Sequence, residues 1–287
     1  MTEVDTPATQ LHSGAIRAAG ASDAVVSQNG REVAASLKGV SVAFVDPKTK
    51  RPKFVLQNFD FVCGRGEFVV LVGRSGCGKT TVLNILSGLL TPTSGKVEVL
   101  GKSPRAARSQ IGYMFARDAL MPWRRAGQNV ELPLEREGVE PAERQRRAEA
   151  MLARLGLEGK DALYPWQLSQ GMRQRVALAR TWVSGPELLL MDEPFAALDA
   201  QTKVEVRAEF LKIWEEARRS VVFVTHDLGE ALLLGDRVVM LAPGGKEVVN
   251  LKVPFQHPRD VSELPFTKEF RELEHDLSQK LVQAIGG

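Results

Sequence analysis

The stretch from Gly73 to Thr81, GRSGCGKTT, constrains this chain more than any other part of it, because it lies between the apolar runs FVVLV and VLNIL. It fits G-x-x-x-x-G-K-[ST], with Gly73, Gly78, Lys79 and Thr80 in the required places. Gly73, Gly76 and Gly78 let the backbone curl so that successive N–H groups point inward, and the helix that follows turns its positive end toward the same anion. Arg74, Ser75, Cys77 and Thr81 complete the loop. Lys79 brings a mobile charge to the outer phosphates, and Thr80 offers a hydroxyl to Mg²⁺, an ion that keeps several waters and takes few protein ligands. A strand before and a helix after are the context in which this pattern is a phosphate site and not a chance glycine turn.

The rest of the composition sets bounds. With 287 residues, 44% hydrophobic and 25% charged, the chain has material for one large domain or two small ones. A formal charge of +3 gives no sign of a nucleic-acid partner. Cys63 and Cys77 are too few for a disulfide framework, have no metal-ligand spacing, and fit a reducing, cytoplasmic setting. Cys77 reads as a small spacer in the loop, although a helix N-terminus could lower its pKa. No run reaches the ~18 apolar residues that cross a bilayer; the richest, Ala231 to Ala242, is broken by Gly235, Asp236 and Arg237. Residues 1–33 lack the basic start and apolar centre of a secretory signal and read as a disordered tail.

Order is expected from about Val33. Leu37 to Phe44 and Phe54 to Val62, around the loop DPKTKRPK, read as two antiparallel strands of an edge sheet. Phe44 ends the first, where its ring could stack on a base or pack within the sheet. Phe68 to Val72 is a strand into the phosphate loop, and the next helix is expected to run to about Leu89, before Pro92, Ser94 and Gly95. Lys96 to Leu100 and Ile111 to Phe115 read as short strands. From 116 to about 174 the periodicity turns helical, with a break at Gly138-Val139-Glu140-Pro141 and a solvated charged face over Glu143 to Arg154. Trp123, beside Pro122, falls on a loop, either exposed for docking or tucked beneath it.

Ser169 is a fitting N-cap for the helix beyond LSQGMRQR, and Gly171 allows close backbone approach, so this helix start could hold a second anion. Glu187 to Met191 and Val221 to Val224 are apolar runs that stop at Asp192-Glu193-Pro194 and Thr225-His226-Asp227, as buried parallel strands do. Three strands would therefore deliver Gly73, Asp192 and His226 to one edge, where open α/β sheets bind ligands. Asp192 is placed for Mg²⁺, Glu193 for general base or water orientation, and His226 for the γ-phosphate and the attacking water. Asp199 could be only the N-cap of the next helix.

Taken in order, GRSGCGKTT, LSQGMRQR, LLLMDEP, ALD and VTH resemble the Walker A, signature, Walker B, D-loop and H-loop of ATP-binding cassette (ABC) ATPases. The resemblance spans roughly 37–242. It implies an α/β fold: a P-loop NTPase (RecA-like) core, an antiparallel β edge sheet and an inserted α-helical subdomain, with the ATPase over 34–245 and a C-terminal strand and helix over 246–287. It implies ATP and Mg²⁺, a head-to-tail homodimer in which Ser169, Gln170 and Gly171 of one subunit close on the ATP of the other, Phe44 against adenine, and Asp199 in the D-loop. DALMPW and GMRQRVALAR are similar to the nitrate, taurine and aliphatic-sulfonate importer branch, whose ATPases pair, on the cytoplasmic face of the membrane, with a permease and an extracytoplasmic binding protein. Two positions depart from the pattern. Ala116 stands where the Q-loop has Gln and can neither ligate Mg²⁺ nor hold water, and Gln170 replaces the first signature Gly. ATP binding with slowed hydrolysis, or a regulatory subunit, is the expectation these raise. His257 and His275 read as surface residues.

Overall fold

The computed structural model describes residues 30–45 and 50–286. The expected tail lies outside the described residues as far as residue 29, as do 46–49 of the loop DPKTKRPK.

The apolar runs become the centre of a six-stranded sheet of order β5-β6-β7-β3-β8-β9. Its strands are β3 (Phe68–Gly73), β5 (Ile111–Met114), β6 (Leu188–Asp192), β7 (Ser220–Thr225), β8 (Arg237–Ala242) and β9 (Lys246–Lys252). All but β9 are parallel, and β9 runs antiparallel along the β8 edge. Every residue of β3, β6, β7 and β8 is buried, which only a sheet covered on both faces requires. Because side chains alternate, each strand feeds two cores. Phe68, Val70 and Val72 face one, and Val69 and Leu71 the other.

The first core is closed by helices. In it Phe68 meets Phe210, Trp214 and Phe223 at centroid distances of 6.0, 5.2 and 5.8 Å. Phe210 and Trp214 belong to α5 (Ala200–Ala217), and α6 (Leu228–Leu234) and α7 (Lys268–Gly286) complete this layer. The second core holds α1 (Lys79–Leu86) between the large sheet and a three-stranded antiparallel sheet, β2-β1-β4, made of β1 (Val33–Val45), β2 (Pro52–Gly64) and β4 (Ser94–Val99). The expected two-stranded edge sheet thus gains a third strand.

Between β5 and β6 stand α2 (Ala126–Arg136), α3 (Pro141–Arg154) and α4 (Gln170–Trp182). Val130, Leu134, Leu152, Leu155 and Leu157 knit them to the helical core. The break at 138–141 works as its residues dictate: Pro141 opens α3, and the Glu140 carboxylate accepts the amides of Ala142 and Glu143 at 2.9 and 3.4 Å. On the exposed face of α3, Glu143 takes Arg146 and Arg147 at 2.7 and 2.6 Å, and hydrogen bonds from both hold its carboxyl at about 2, well below the usual range.

Three expectations are corrected. Helix α1 stops at Leu86, short of Leu89, because Gly88, which lies ahead of all three expected breakers, takes a left-handed φ of 71° and its amide bonds back to Ile85 O. The last helix begins at Lys268 and not near Ser262, since Asp260 ties the amides of Ser262 and Glu263 into a turn and Leu264–Phe266 forms a short 3₁₀ segment. His257 is not a surface residue. Its side chain is 3% exposed, lies 4.9 Å from the Trp214 ring centroid, and shares a 2.8 Å hydrogen bond between Nδ1 and Glu215. His275 is exposed, within 2.9 Å of Gln279.

One buried ion pair joins the two sheets. Arg237 at the start of β8 donates to Glu67 at 2.8 Å and to the Val62 carbonyl of β2, while Glu67 accepts the Gly64 amide at 2.7 Å. Both side chains are essentially solvent-free. Arg237→Ala leaves a buried carboxylate without its guanidinium and is expected to cost about 3–5 kcal/mol in urea unfolding. The paired change Glu67→Gln with Arg237→Met should cost clearly less, because no charge is stranded.

Candidate functional site

The end of β3 cannot carry a side chain. A Cβ on Gly73 would lie 2.4 Å from the Leu241 carbonyl of neighbouring β8 and 2.7 Å from Cys77 Sγ. From there the loop exposes Arg74, Ser75 and Gly76, buries Cys77, and turns through Gly76 (φ 84°) and Gly78 (φ 104°) into α1. Gly78 is the N-cap and offers no side chain, so the first amides of α1 have no capping partner from it and face the loop interior. This is an anion nest at a helix start. Lys79 is buried and folds back along the loop, donating to Gly73 O at 2.6 Å and Arg74 O at 3.1 Å. Burial pushes the Cys77 thiol above its ordinary value, the reverse of an activated thiolate.

The neighbouring strands bring the carboxylates. Asp192 ends β6, and its Oδ1 accepts from Thr80 Oγ1 at 3.2 Å. Burial raises the Asp192 pKa, the Thr80 hydrogen bond and Lys79 oppose that rise, and Glu193 adds to it. Two hard oxygen donors, one of them an under-compensated buried carboxylate, suit a small divalent cation such as Mg²⁺. Glu193 follows with a left-handed φ of 45° and its amide on Val224 O at 2.9 Å. Such a conformation in a non-glycine residue costs energy and turns the side chain out of the strand line. Its Oε2 lies 3.0 Å from Nδ1 of His226, just past β7. The His226 side chain is 61% exposed and that of Glu193 27%, so the pair stands at the rim of the site, open to water.

Gly73, Asp192 and His226 therefore converge as their strands predict. Other expected residues stand apart. Ser169 caps α4, its Oγ accepting the Met172 amide at 3.3 Å. Gln170 is exposed, and a Cβ on Gly171 would lie 2.5 Å from Thr202 Cγ2, so the start of α4 abuts the start of α5. Asp199 caps α5, accepting the Thr202 amide at 3.0 Å, and that bond lowers its pKa. Phe44 is half exposed at the end of β1, opposite Lys53. Thr81 lies in the first turn of α1. Ala116 is exposed beyond β5, after Tyr113 and Phe115, whose ring centroids are 4.5 Å apart.

Several residues at the site gave little sign in the sequence. Tyr113 Oη donates to Asn84 Oδ1 of α1 at 3.1 Å, and burial, then the charge of Asp192, raises the phenol's pKa. Gln174, buried in α4, donates to the Pro194 carbonyl next to Glu193. Asn129, buried in α2, accepts the Met121 amide at 2.8 Å and donates to the carbonyls of Met121, Arg124 and Arg125 at 3.2, 3.0 and 3.1 Å. That staple holds the loop on which Trp123 stands 71% exposed, which decides between the two readings of Trp123.

An anion nest with a lysine, a hydroxyl–carboxylate pair for a cation and a carboxylate–imidazole pair facing water can together hold a polyphosphate and hydrolyse its end. Known proteins agree. The sequence profile of the family described as ABC transporter matches residues 56–196. An uncharacterised ABC transporter ATP-binding protein of Methanocaldococcus jannaschii is 43% identical over 233 residues, 80% of this chain and 86% of that protein. The taurine import ATP-binding protein of Escherichia coli O157:H7 is 39% identical over 207 residues, 72% of this chain and 81% of its own. The bicarbonate transport ATP-binding protein of Synechocystis is 41% identical over 224 residues, covering 77% and 79%. Among solved structures, a dimeric ATP-binding cassette in a post-hydrolysis state with ADP and Pi matches with a TM-score of 0.70 at 33% identity, over 77% of this chain and all of that one.

The glycine geometry yields a test. Gly78→Ala places a Cβ at φ 104° and 2.7 Å from Leu56 Cδ2. It should lower stability by about 1–3 kcal/mol in thermal unfolding and weaken nucleotide binding in a fluorescence titration. Gly76→Ala, where a Cβ meets nothing within 4 Å, should do less.

Proposed function

The chain belongs to the ATP-binding proteins of ABC transporters, whose ATPases hydrolyse ATP to drive transport, and we propose that it energises import of a small anion through a separate permease. The observation that carries this reading is the convergence of the Lys79 loop, the Thr80–Asp192 pair and the Glu193–His226 pair at the ends of three adjacent strands. The anion class rests on relatives that import taurine or transport bicarbonate; nitrate and alkanesulfonates belong to the same chemistry.

In this proposal Gly73 to Thr81 wraps the phosphates, with Lys79 turning from the Gly73 and Arg74 carbonyls to the outer phosphates. Thr80 and Asp192 would hold Mg²⁺, which supplies neutralisation of phosphate charge when bound. Glu193 accepts a proton from the attacking water, and His226 orients Glu193 through Nδ1 and reaches the γ-phosphate with its other nitrogen. Phe44 stacks on adenine. The exposed Ser169 and Gln170, with the half-buried Gly171 and with Asp199, serve the nucleotide of a second copy, since they turn to their own helices and to Thr202 in this one.

The permease would sit in the apolar cleft of about 540 Å³ where β5 leaves the sheet, lined by Tyr113, Phe115, Met121 and Pro133 and edged by Arg136 and Arg180. Among the described residues no helix is long and apolar enough to cross a membrane. We place the chain on the cytoplasmic face through that contact, with an extracytoplasmic binding protein delivering the anion. A second reading, a weakly hydrolysing regulatory subunit, is favoured by one observation, the bare methyl of Ala116.

Glu193→Gln should lower steady-state turnover by about 10²- to 10⁴-fold while leaving ATP binding intact; near-normal hydrolysis would reject the base assignment. Ala116→Gln should raise turnover, and an equal rate with and without permease would favour the regulatory reading. Met121→Asp should abolish permease association on membranes while ATP binding by the free chain is kept.

A further inference from the structure

The Q-loop position carries alanine, yet the segment just beyond it is held by side chains of α4. Asp118 accepts from Arg173 Nε at 3.0 Å, and Arg173 donates through Nη1 to the Leu168 carbonyl at 2.9 Å. Arg180, seven residues on and so on the same side of α4, donates to the carbonyls of Asp118 and Ala119 at 2.6 and 2.7 Å. Ala119 sits at φ 45°, a conformation that alanine keeps only when its surroundings impose it. Two arginines of α4 therefore grip residues 118–119, both charge and backbone.

The next residue of α4 grips something else. Gln174 is 4% exposed and donates to the carbonyl of Pro194. That carbonyl is one peptide beyond Glu193, whose own amide is fixed on Val224 O at 2.9 Å. Arg173 and Gln174 are consecutive, so a rotation or shift of the start of α4 moves the 118–119 segment and the Pro194 peptide together. The helix is packed along its length by Val176, Ala177, Leu178, Ala179 and Trp182, all buried, and so transmits displacement as a rigid element.

We propose that α4 is a lever by which residues 115–121 set the position of Glu193, with Arg173 and Arg180 as its hold on that segment and Gln174 as its hold on the Pro194 carbonyl. Arg173, Arg180 and Gln174 are then positioning residues, acting on the reaction only through Glu193. The lever rests on the proposed role of Glu193 and needs no side chain at position 116. Because 115, 119, 121 and 180 line the cleft assigned to the permease, pressure there reaches the rim of the ATP site without passing through the residue that is missing.

Asp118→Ala removes the Arg173 part of the first hold, leaving the Arg180 bonds to the backbone, and Gln174→Leu removes the second. Each should lower kcat for ATP about 10- to 100-fold with the KM for ATP within about twofold, as misplacement of one reacting group does. The double variant should lose little more than the worse single one, because the holds act in series. Additive losses, or a fall that tracks the melting temperature, would overturn the proposal. Amide hydrogen exchange on the ATP-free chain decides independently of catalysis and of whether Gln174→Leu folds. Asp118→Ala should speed exchange over 193–198 at least about threefold and leave 188–191 unchanged. Unchanged exchange over 193–198 would refute the lever, whereas changed exchange without any hydrolysis by the unmutated chain would refute only the assigned chemistry of Glu193.

Discussion

A parallel strand buried on both faces has nowhere to put a polar group except at its ends. The four central strands here are buried throughout, so the polar residues that follow β3, β6 and β7 are carried to a common edge by the sheet itself. The register fixes how they meet. Asp192 is the partner of Val224 and Val72 that of Thr225, which sets the phosphate loop, the cation pair and the carboxylate–imidazole pair in adjacent positions. The energy that holds the site together is thus mostly apolar burial beneath it, including the aromatic cluster of Phe68, Phe195, Phe210 and Phe223.

Around that edge, close approach is managed by leaving atoms out. Gly73 runs against the Leu241 carbonyl and Gly171 against Thr202, each too near for a methyl group. Where strain is accepted instead, at Glu193, the fold compensates by fixing the amide on Val224 and the next carbonyl on Gln174. The left-handed backbone turns a strand residue into one that faces water.

How much of this could be read in advance depends on how local each cause is. The phosphate loop and the three central strands were legible because apolar runs of strand length stop abruptly at Gly73, Asp192 and His226, and nothing but a buried parallel sheet explains such stops. The three-stranded sheet was half legible, since β4 is short, polar and mostly unburied and gives a weak pattern. The end of α1 is hard to place from sequence because Pro92, Ser94 and Gly95 are the stronger breakers, whereas the helix is terminated by the left-handed φ of Gly88. His257 and Asn129 were not legible as buried groups. A polar residue carries no hydrophobic periodicity, and the partners that satisfy it, Glu215 for one and the Met121–Arg125 backbone for the other, become neighbours only after folding. Gln174 and Arg173 stood in plain sight within LSQGMRQR, yet their partners are 20 and 55 residues away.

The account makes the chain an ATPase whose parts are assembled by strand ends and whose missing glutamine does not disable it. Phosphate release by the purified, unmutated chain at saturating ATP, with Mg²⁺ supplied and then chelated, tests this most directly. The account predicts sustained turnover that requires the cation. Tight ATP binding with no phosphate released above the uncatalysed background, with Mg²⁺ present, would contradict it.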